Sequence, residues 1–228
     1  MTAPFYVPPE QLIKDRADFA RKGIGRGRPI IVMEYEDGVL LIGENPGGSL
    51  HKLGEIYDNM AFAGVGRFNE FETLRVGGIR YADLKGYSYG RRDVTAKGLA
   101  NAYSQTMGQI FTHEVKPYEV EVFVAEIGDD AEATRIFRIQ FDGTLITAQG
   151  FGAIGGGEDA LSERLSDQYE PARSLAAAVA TATACIEAVE EREIDAGDWE
   201  AAVLDRTLGR RSFRRIGPEE ITAARSGA

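Results

Sequence analysis

The sequence lacks the residues that would stabilise it covalently or through a metal ion. Its 228 residues include one cysteine, Cys185, so no disulfide can form within the chain. The two histidines, His51 and His113, lie far apart, and neither has a second histidine or cysteine at a metal-ligand spacing. We therefore predict no metal site and no bound cofactor. Cys185 lies in an alanine-rich segment, which favours a place in the core over a role as a nucleophile.

Long apolar runs and an excess of basic charge are also missing. No run is long enough to cross a bilayer, and the first residues do not have the pattern of a signal peptide. The formal net charge of -10 argues against a protein that binds nucleic-acid backbones, because such proteins need a basic face. A single thiol gives no sign of an oxidising compartment. We expect a cytoplasmic protein with no membrane and no nucleic-acid partner.

Alternating and β-branched runs predict a chain rich in hairpins, two of them at Asp-Gly pairs. The predicted strands are Ile30 to Tyr35, Val39 to Gly43, Leu50 to Tyr57, Asn59 to Gly66, Tyr118 to Glu126, Thr134 to Phe141, Thr144 to Gln149, Trp199 to Arg206 and Ser212 to Ile216. In the third of these, Lys52 shares a face with Gly54 and Ile56. Its side chain is therefore expected to point into the core or into a cleft.

Helical periodicity predicts five helices. They run from Pro9 to Gly23, from Phe68 to Tyr87, from Val94 to Phe111 with Asp93 as the N-cap, from Glu158 to Tyr169, and from Pro171 through an alanine-rich stretch. Hairpins alternate with helix pairs, which disfavours a doubly wound parallel sheet and favours an α+β, four-layer αββα sandwich of two antiparallel sheets. We predict one domain over residues 9–216, preceded by a mobile tail (residues 1–8) and followed by a polar, variable tail (residues 217–228).

Two motifs suggest other functions but have simpler explanations. Gly150 to Gly155 matches the dinucleotide-binding pattern G-x-G-x-x-G, yet a second helix follows the helix after it, so a glycine-rich turn is favoured. Arg210, Arg211, Arg214 and Arg215 could bind phosphate. In so acidic a chain, pairing with carboxylates of the same fold or of a partner subunit is the favoured role.

A set of short motifs extends over nearly the whole chain. They are Arg21-Lys22-Gly23-Ile24, Arg26-Gly27-Arg28, Asp37-Gly38-Val39-Leu40, Glu44-Asn45-Pro46, Leu50-His51-Lys52, Gly66-Arg67-Phe68-Asn69-Glu70-Phe71, Gly86-Tyr87-Ser88-Tyr89, Arg91-Arg92-Asp93-Val94-Thr95, Leu99-Ala100-Asn101-Ala102-Tyr103, Lys116-Pro117-Tyr118-Glu119-Val120-Glu121, Ala202-Val203-Leu204-Asp205 and Phe213-Arg214-Arg215-Ile216. Together they resemble proteasome α subunits of the actinobacterial type. The chain departs from this pattern at Gly128 to Ala133, which is short, at the glycine-rich Gly152 to Gly156, and beyond Gly217.

The resemblance implies an N-terminal-nucleophile hydrolase fold without peptidase activity of its own. Such α subunits form a homo-oligomeric, seven-membered ring that caps proteasome β subunits and admits unfolded protein substrates in transit. The resemblance further implies a pore gate made of Thr2, Ala3, Pro4, Phe5, Tyr6, Val7 and Pro8. It also implies that Lys52, Gly66 and Arg67 dock the C-terminal tail of a hexameric ATPase activator, for ATP-dependent protein degradation.

The residues at the degenerate active-site positions agree with a non-catalytic subunit. When Asp37-Gly38 is aligned with the equivalent turn of a catalytic β subunit, Arg28, Glu44 and Lys52 fall where the threonine nucleophile, an aspartate and a lysine would lie. Arginine has no nucleophilic oxygen, whereas a threonine-type peptidase needs a free N-terminal threonine whose amine serves as the base.

Two alternatives stay open at the level of sequence. Loss of Met1 would expose Thr2 as an N-terminal threonine, so the chain could be a catalytically active threonine-type peptidase. Lys52 could also be paired internally with Glu44 or Glu55, and a lysine so paired would have no docking role.

Overall fold

The computed structural model describes residues 8–227 and forms ten strands and six α-helices in that range. The helices are α1 (Pro9–Ile24), α2 (Phe68–Ser88), α3 (Ala96–His113), α4 (Glu158–Gln168), α5 (Leu175–Glu190) and α6 (Pro218–Ser226). The strands are β1 (Ile30–Tyr35), β2 (Gly38–Glu44), β3 (Leu53–Tyr57), β4 (Met60–Gly66), β5 (Val120–Glu126), β6 (Arg135–Ile139), β7 (Leu145–Ala148), β8 (Phe151–Ile154), β9 (Trp199–Asp205) and β10 (Phe213–Ile216). Of the predicted gate, residues 2–7 lie outside the described range.

The strands form two five-stranded antiparallel sheets, which confirms the predicted α+β sandwich. The first sheet has the strand order β10-β9-β2-β1-β8, and the second has the order β3-β4-β5-β6-β7. Helices α4, α5 and α6 cover the outer face of the first sheet, while α2 and α3 cover the second. Among the described helices, none combines the length and apolar character needed to cross a membrane.

Three apolar clusters fill the spaces between these layers. One lies between the first sheet and its helices and includes Met33, Leu40 and Val179. The second lies between the sheets, and the third lies between the second sheet and α2 and α3. Strands β1 and β2 are buried on both faces, which is why they read as continuous apolar runs.

Both predicted Asp-Gly hairpins are confirmed, but their glycines serve different purposes. In the second hairpin, Gly143 has φ +88°, a left-handed conformation that favours glycine. In the first, the two turn residues are Glu36 and Asp37, and Gly38 is already the first residue of β2. A Cβ atom on Gly38 would collide with the backbone of Leu204 in β9, so this glycine permits close approach of the neighbouring strand.

The structure corrects two strand predictions. Strand β3 begins at Leu53, so Lys52 lies in the connection just before it and not within the strand. The glycine-rich segment was expected to be a turn, but its centre forms β8, which pairs antiparallel with β1. A Cβ atom on Gly152 would lie 2.7 Å from the ring of Phe123. Glycine is therefore needed for contact between the sheets, and a loop around a dinucleotide phosphate does not fit this placement.

Three helix predictions also needed correction. Thr95 and not Asp93 caps α3, because its side chain accepts a hydrogen bond from the Gly98 amide at 3.2 Å. Helix α5 begins after Ser174, past Pro171, and again the capping side chain marks the start. The polar segment after Gly217 contains α6, which was missed because few of its residues are apolar.

Helix α1 is covered along only part of its length. Ala20 and Ile24 are buried in the cluster between the sheets, so the C-terminal half crosses one end of the sandwich. Leu12 and Ile13, in the N-terminal half of the helix, have exposed fractions of 49% and 56%. The chain described here buries the second half of α1 and leaves these two side chains in solvent.

Candidate functional site

The predicted active-site positions meet at the end of the sandwich where β1 begins and β2 ends. Arg28 lies two residues before β1, and Glu44 is the last residue of β2. The Lys52 ammonium donates a hydrogen bond to the main-chain oxygen of Glu44 at 3.0 Å. The structure therefore brings together three positions that are separated in sequence.

At the centre of this group is Glu44, which is 2% exposed and forms ion pairs with Arg28 and Arg192. Burial by itself would raise the pKa of Glu44, but hydrogen bonds from Arg192 and Arg28 hold that pKa below its ordinary value. The carboxylate is therefore ionised at neutral pH, and two guanidinium groups neutralise it. Sequence reasoning missed Arg192, since it lies 148 residues from Glu44.

Lys52 is half-buried at this end of the molecule. Burial lowers the pKa of Lys52, the charge of Glu200 raises it, the Arg28 guanidinium lowers it, and the charge of Glu44 raises it. Among residues 8–227, no carboxylate lies within ion-pair distance of the Lys52 ammonium. The two carboxylates considered as its partners pair with arginines instead: Glu44 with Arg28 and Arg192, and Glu55 with Arg211 at 2.6 Å. The internal ion pair that remained open for Lys52 is thus absent from the described chain.

The other two predicted docking residues lie at the same end of the second sheet. Gly66 ends β4 with φ +113°, and a Cβ atom there would collide with the Glu119 backbone. Arg67 follows it and pairs with Glu119 at 2.6 Å, although the Arg67 side chain is 63% exposed. The Gly64 amide donates to the Lys52 carbonyl oxygen at 3.0 Å, which aligns the start of β3 with the end of β4.

An open groove lies between β3, the start of α2 and β10, and the Lys52 side chain is not part of its lining. Its volume is about 770 Å³, and its lining includes His51, Leu53, Phe68, Arg75 and Arg215. Glu55 and Glu72 also line the groove, where they pair with Arg211 and Arg75. Arg215 pairs with Glu200, so the cationic side chains of this groove are neutralised within the chain.

The arginine cluster of the last hairpin is paired within the chain. Arg210, Arg211, Arg214 and Arg215 contact Asp58, Glu55, Glu220 and Glu200, respectively. These contacts support the carboxylate-pairing interpretation over phosphate binding. Cys185 is buried, and burial raises the pKa of its thiol, as expected for a core position.

Comparison with known proteins assigns the chain to a family. The family model for proteasome subunits matches residues 24–204. The chain belongs to the proteasome subunit family. Its match includes the positions of Arg28, Glu44 and Lys52, and the resemblance inferred from short motifs is confirmed.

The curated relatives are similar over nearly their whole lengths. A proteasome alpha subunit of Xylanimonas cellulosilytica is 54% identical over 99% of this chain and 96% of its own. The alpha subunit of Thermomonospora curvata is 54% identical over 95% of this chain and 94% of its own. That of a Nocardioides species is 52% identical over 100% and 92%. Alpha-subunit relatives agree with the prediction of a non-catalytic member of the threonine protease complex.

Proposed function

We propose that this chain is the non-catalytic α subunit of a proteasome core particle, in which it forms the outer ring on β subunits. In this proposal residues 2–8 gate the entry of unfolded protein substrates, and Lys52 with Gly66 and Arg67 docks a hexameric ATPase activator. ATP-dependent protein degradation in the cytoplasm is the resulting function. The names of the relatives support the ring and the β partner.

The observation that carries the docking role is the environment of the Lys52 ammonium. Within the described chain its hydrogen bond is to a main-chain oxygen, and no carboxylate oxygen lies within ion-pair distance of it. A half-buried cation has lost part of its hydration, so an incoming carboxylate gains a charge-assisted hydrogen bond at a lower desolvation cost. The C-terminal carboxylate of an activator tail is a ligand with this chemistry.

The geometry at Arg28 supports the absence of catalysis. A threonine-type peptidase needs its nucleophile as a free N-terminus at the start of the first strand. Here the residue at that place is an arginine paired with Glu44, and α1 precedes it in the chain. The catalytic lysine position is kept, but its neighbour has no nucleophilic oxygen.

Lys52→Ala tests docking in the assembled particle. Peptide hydrolysis is measured with and without a hexameric ATPase that stimulates the wild-type particle. We expect stimulation to fall by about tenfold or more, since one charge-assisted hydrogen bond accounts for roughly that factor. Basal hydrolysis and ring mass should not change. Lys97→Ala, which removes an exposed lysine on α3, is the matched control.

Either of two results would contradict this assignment. Stimulation of the Lys52→Ala particle at the wild-type level would exclude the docking role. Hydrolysis by the isolated chain that disappears in Thr2→Ala would instead favour the alternative, a catalytically active threonine peptidase.

A further inference from the structure

A carboxylate on the opposite sheet organises the segment that carries Lys52. Glu200 is the second residue of β9, and it is 8% exposed. Its neighbour Ala201 packs in the cluster under the helices, whereas Ala202 packs in the cluster between the sheets. By the alternation of a strand, Glu200 points into the space between the sheets, towards the start of β3.

Four donors and the His51 ring nitrogen converge on this carboxylate. One oxygen accepts from the Asn45 amide at 2.7 Å and from the Lys52 main-chain amide at 3.0 Å. The other accepts from the Leu53 amide at 3.2 Å and the Arg215 guanidinium at 2.9 Å, and it lies 3.1 Å from the His51 ring nitrogen. A carboxylate is suited to this place because it is purely an acceptor.

These contacts hold the connection between the two sheets. Residues 45–52 connect the two sheets, and Leu50 within them is 53% exposed. Asn45 also donates to the Leu50 carbonyl oxygen at 2.9 Å, so the Glu200 network extends into the turn. On its other side, the Lys52 carbonyl accepts from Gly64. The main chain of Lys52 is therefore held from both sheets at once.

We propose that Glu200 is the positioning residue of the docking site: by accepting the Lys52 and Leu53 amides, it fixes the direction in which the Lys52 ammonium faces an incoming carboxylate. This inference rests on the docking role proposed for Lys52. Glu200 itself does not contact the ligand, because the groups around it already saturate its oxygens.

The charge of Glu200 has a second effect on the same lysine. Burial lowers the pKa of Lys52, and the negative charge of Glu200 raises it again. Glu200→Gln removes that charge. It also replaces one acceptor oxygen with an amide NH₂ group, which cannot accept the N–H donors that face it. The ammonium should then be both displaced and more easily deprotonated.

The experiment uses the assembled particle with Glu200→Gln. We expect the concentration of stimulating ATPase at half-maximal hydrolysis to rise about tenfold, with the maximal rate and the ring mass unchanged. NMR of ¹³C-methylated lysines should show a lower pKa for Lys52. Glu220→Gln is the matched control, because Glu220 pairs with Arg214, the neighbour of Arg215 on β10. It should leave both readouts at wild-type values.

A second variant covers the case in which Glu200→Gln fails to assemble. Asn45→Ala removes one donor from a partly exposed turn without leaving a buried charge unpaired, and it should raise the half-maximal concentration in the same direction. Unchanged half-maximal concentrations in the variants that assemble would overturn the positioning role, provided that Lys52→Ala reduces stimulation as expected. If Lys52→Ala has no effect, the docking proposal itself has failed.

Discussion

Glu44 and Glu121 show how partner number sets the charge of a buried carboxyl group. Glu44 has two arginine partners, and its pKa is held below the ordinary value. Glu121 shares Arg138 with Glu158, both at 2.6 Å. Burial raises the pKa of Glu121 to about 7, Arg138 opposes the rise, and the charges of Glu158 and Asp142 add to it. Two guanidinium groups outweigh the loss of hydration, whereas one shared group does not.

This difference predicts a pH dependence of stability that is specific to Glu121. The pKa of the Glu121 carboxyl group is 4.5 in the unfolded reference and about 7 in the folded chain. Protonation of Glu121 therefore stabilises the folded state fully below about pH 4.5, and this stabilisation is lost as the pH rises through 7. The loss in the free energy of unfolding is at most about 3 kcal/mol. In Glu121→Gln, thermal unfolding between pH 5 and 8 should show a flatter pH profile than in the wild type.

Glu72→Gln provides the control for this experiment. Hydrogen bonds from Arg75 lower the pKa of Glu72, so that group stays ionised over the same pH range. Glu72→Gln should therefore show the same pH dependence of thermal unfolding as the wild type. A Glu121→Gln profile that parallels the wild type would show that Glu121 does not take up a proton near neutrality.

At the scale of elements, α6 is the feature that the sequence concealed. It has two buried residues, Ile221 and Ala224, both in the cluster that covers the first sheet. Arg225 then donates to the carboxylate of Glu187 in α5 at 2.7 Å and to the Ile194 carbonyl oxygen at 3.0 Å. An otherwise polar helix is thereby attached to α5 at both an apolar and a charged position.

Ile221→Ala tests whether α6 is part of the core. Ile221 is fully buried, so removing three carbons should lower the free energy of unfolding by about 2–5 kcal/mol. Urea unfolding of the purified chain measures this loss. Thr222→Ala is the control: it changes an exposed neighbour and should cost less than about 0.5 kcal/mol. Equal midpoints for the two variants would mean that α6 is not packed on α5.

At the scale of the whole molecule, the C-terminal half of α1 and the docking site proposed at Lys52 lie at one end of the sandwich. Helix α1 packs Ala20 and Ile24 over the cluster between the sheets, and the chain before it carries the predicted gate. Lys52 lies at the end of the same two sheets. An activator that docks at Lys52 would therefore bind on the side of the molecule that α1 crosses.

Deleting residues 1–7 tests the gate in the particle. The deletion keeps Pro8, because its carbonyl oxygen accepts the Leu12 amide at 3.1 Å and starts α1. Basal peptide hydrolysis should rise towards the ATPase-stimulated rate, since the obstruction of the pore is gone, and native mass spectrometry should show an intact ring. Deleting residues 227–228 at the other end is the control. Unchanged basal hydrolysis in an intact ring would mean that these residues are not the gate.

Local patterns predicted most of the elements, whereas the resemblance to proteasome α subunits implied the residues of the candidate site. Alternating apolar runs and Asp-Gly turns are properties of adjacent residues, so eight of the nine predicted strands coincide closely with observed ones. The exception is the strand predicted from Leu50 to Tyr57, which begins only at Leu53. Strand β8 and helix α6 were missed because their stabilising contacts are distant in sequence: Gly152 packs on Phe123, and Ile221 packs in a cluster formed by the first sheet.

The sequence by itself determined the family and predicted the loss of the nucleophile, because both follow from which residue types occupy which positions. Only the tertiary structure decided what surrounds Lys52. Glu200 reaches the Lys52 amide across 148 residues of chain, and Arg192 reaches Glu44 across the same separation. Both contacts depend on the order of strands in the first sheet and on how that sheet packs against the second. No local pattern encodes that packing, since a single buried carboxylate leaves no periodic signal in a sequence.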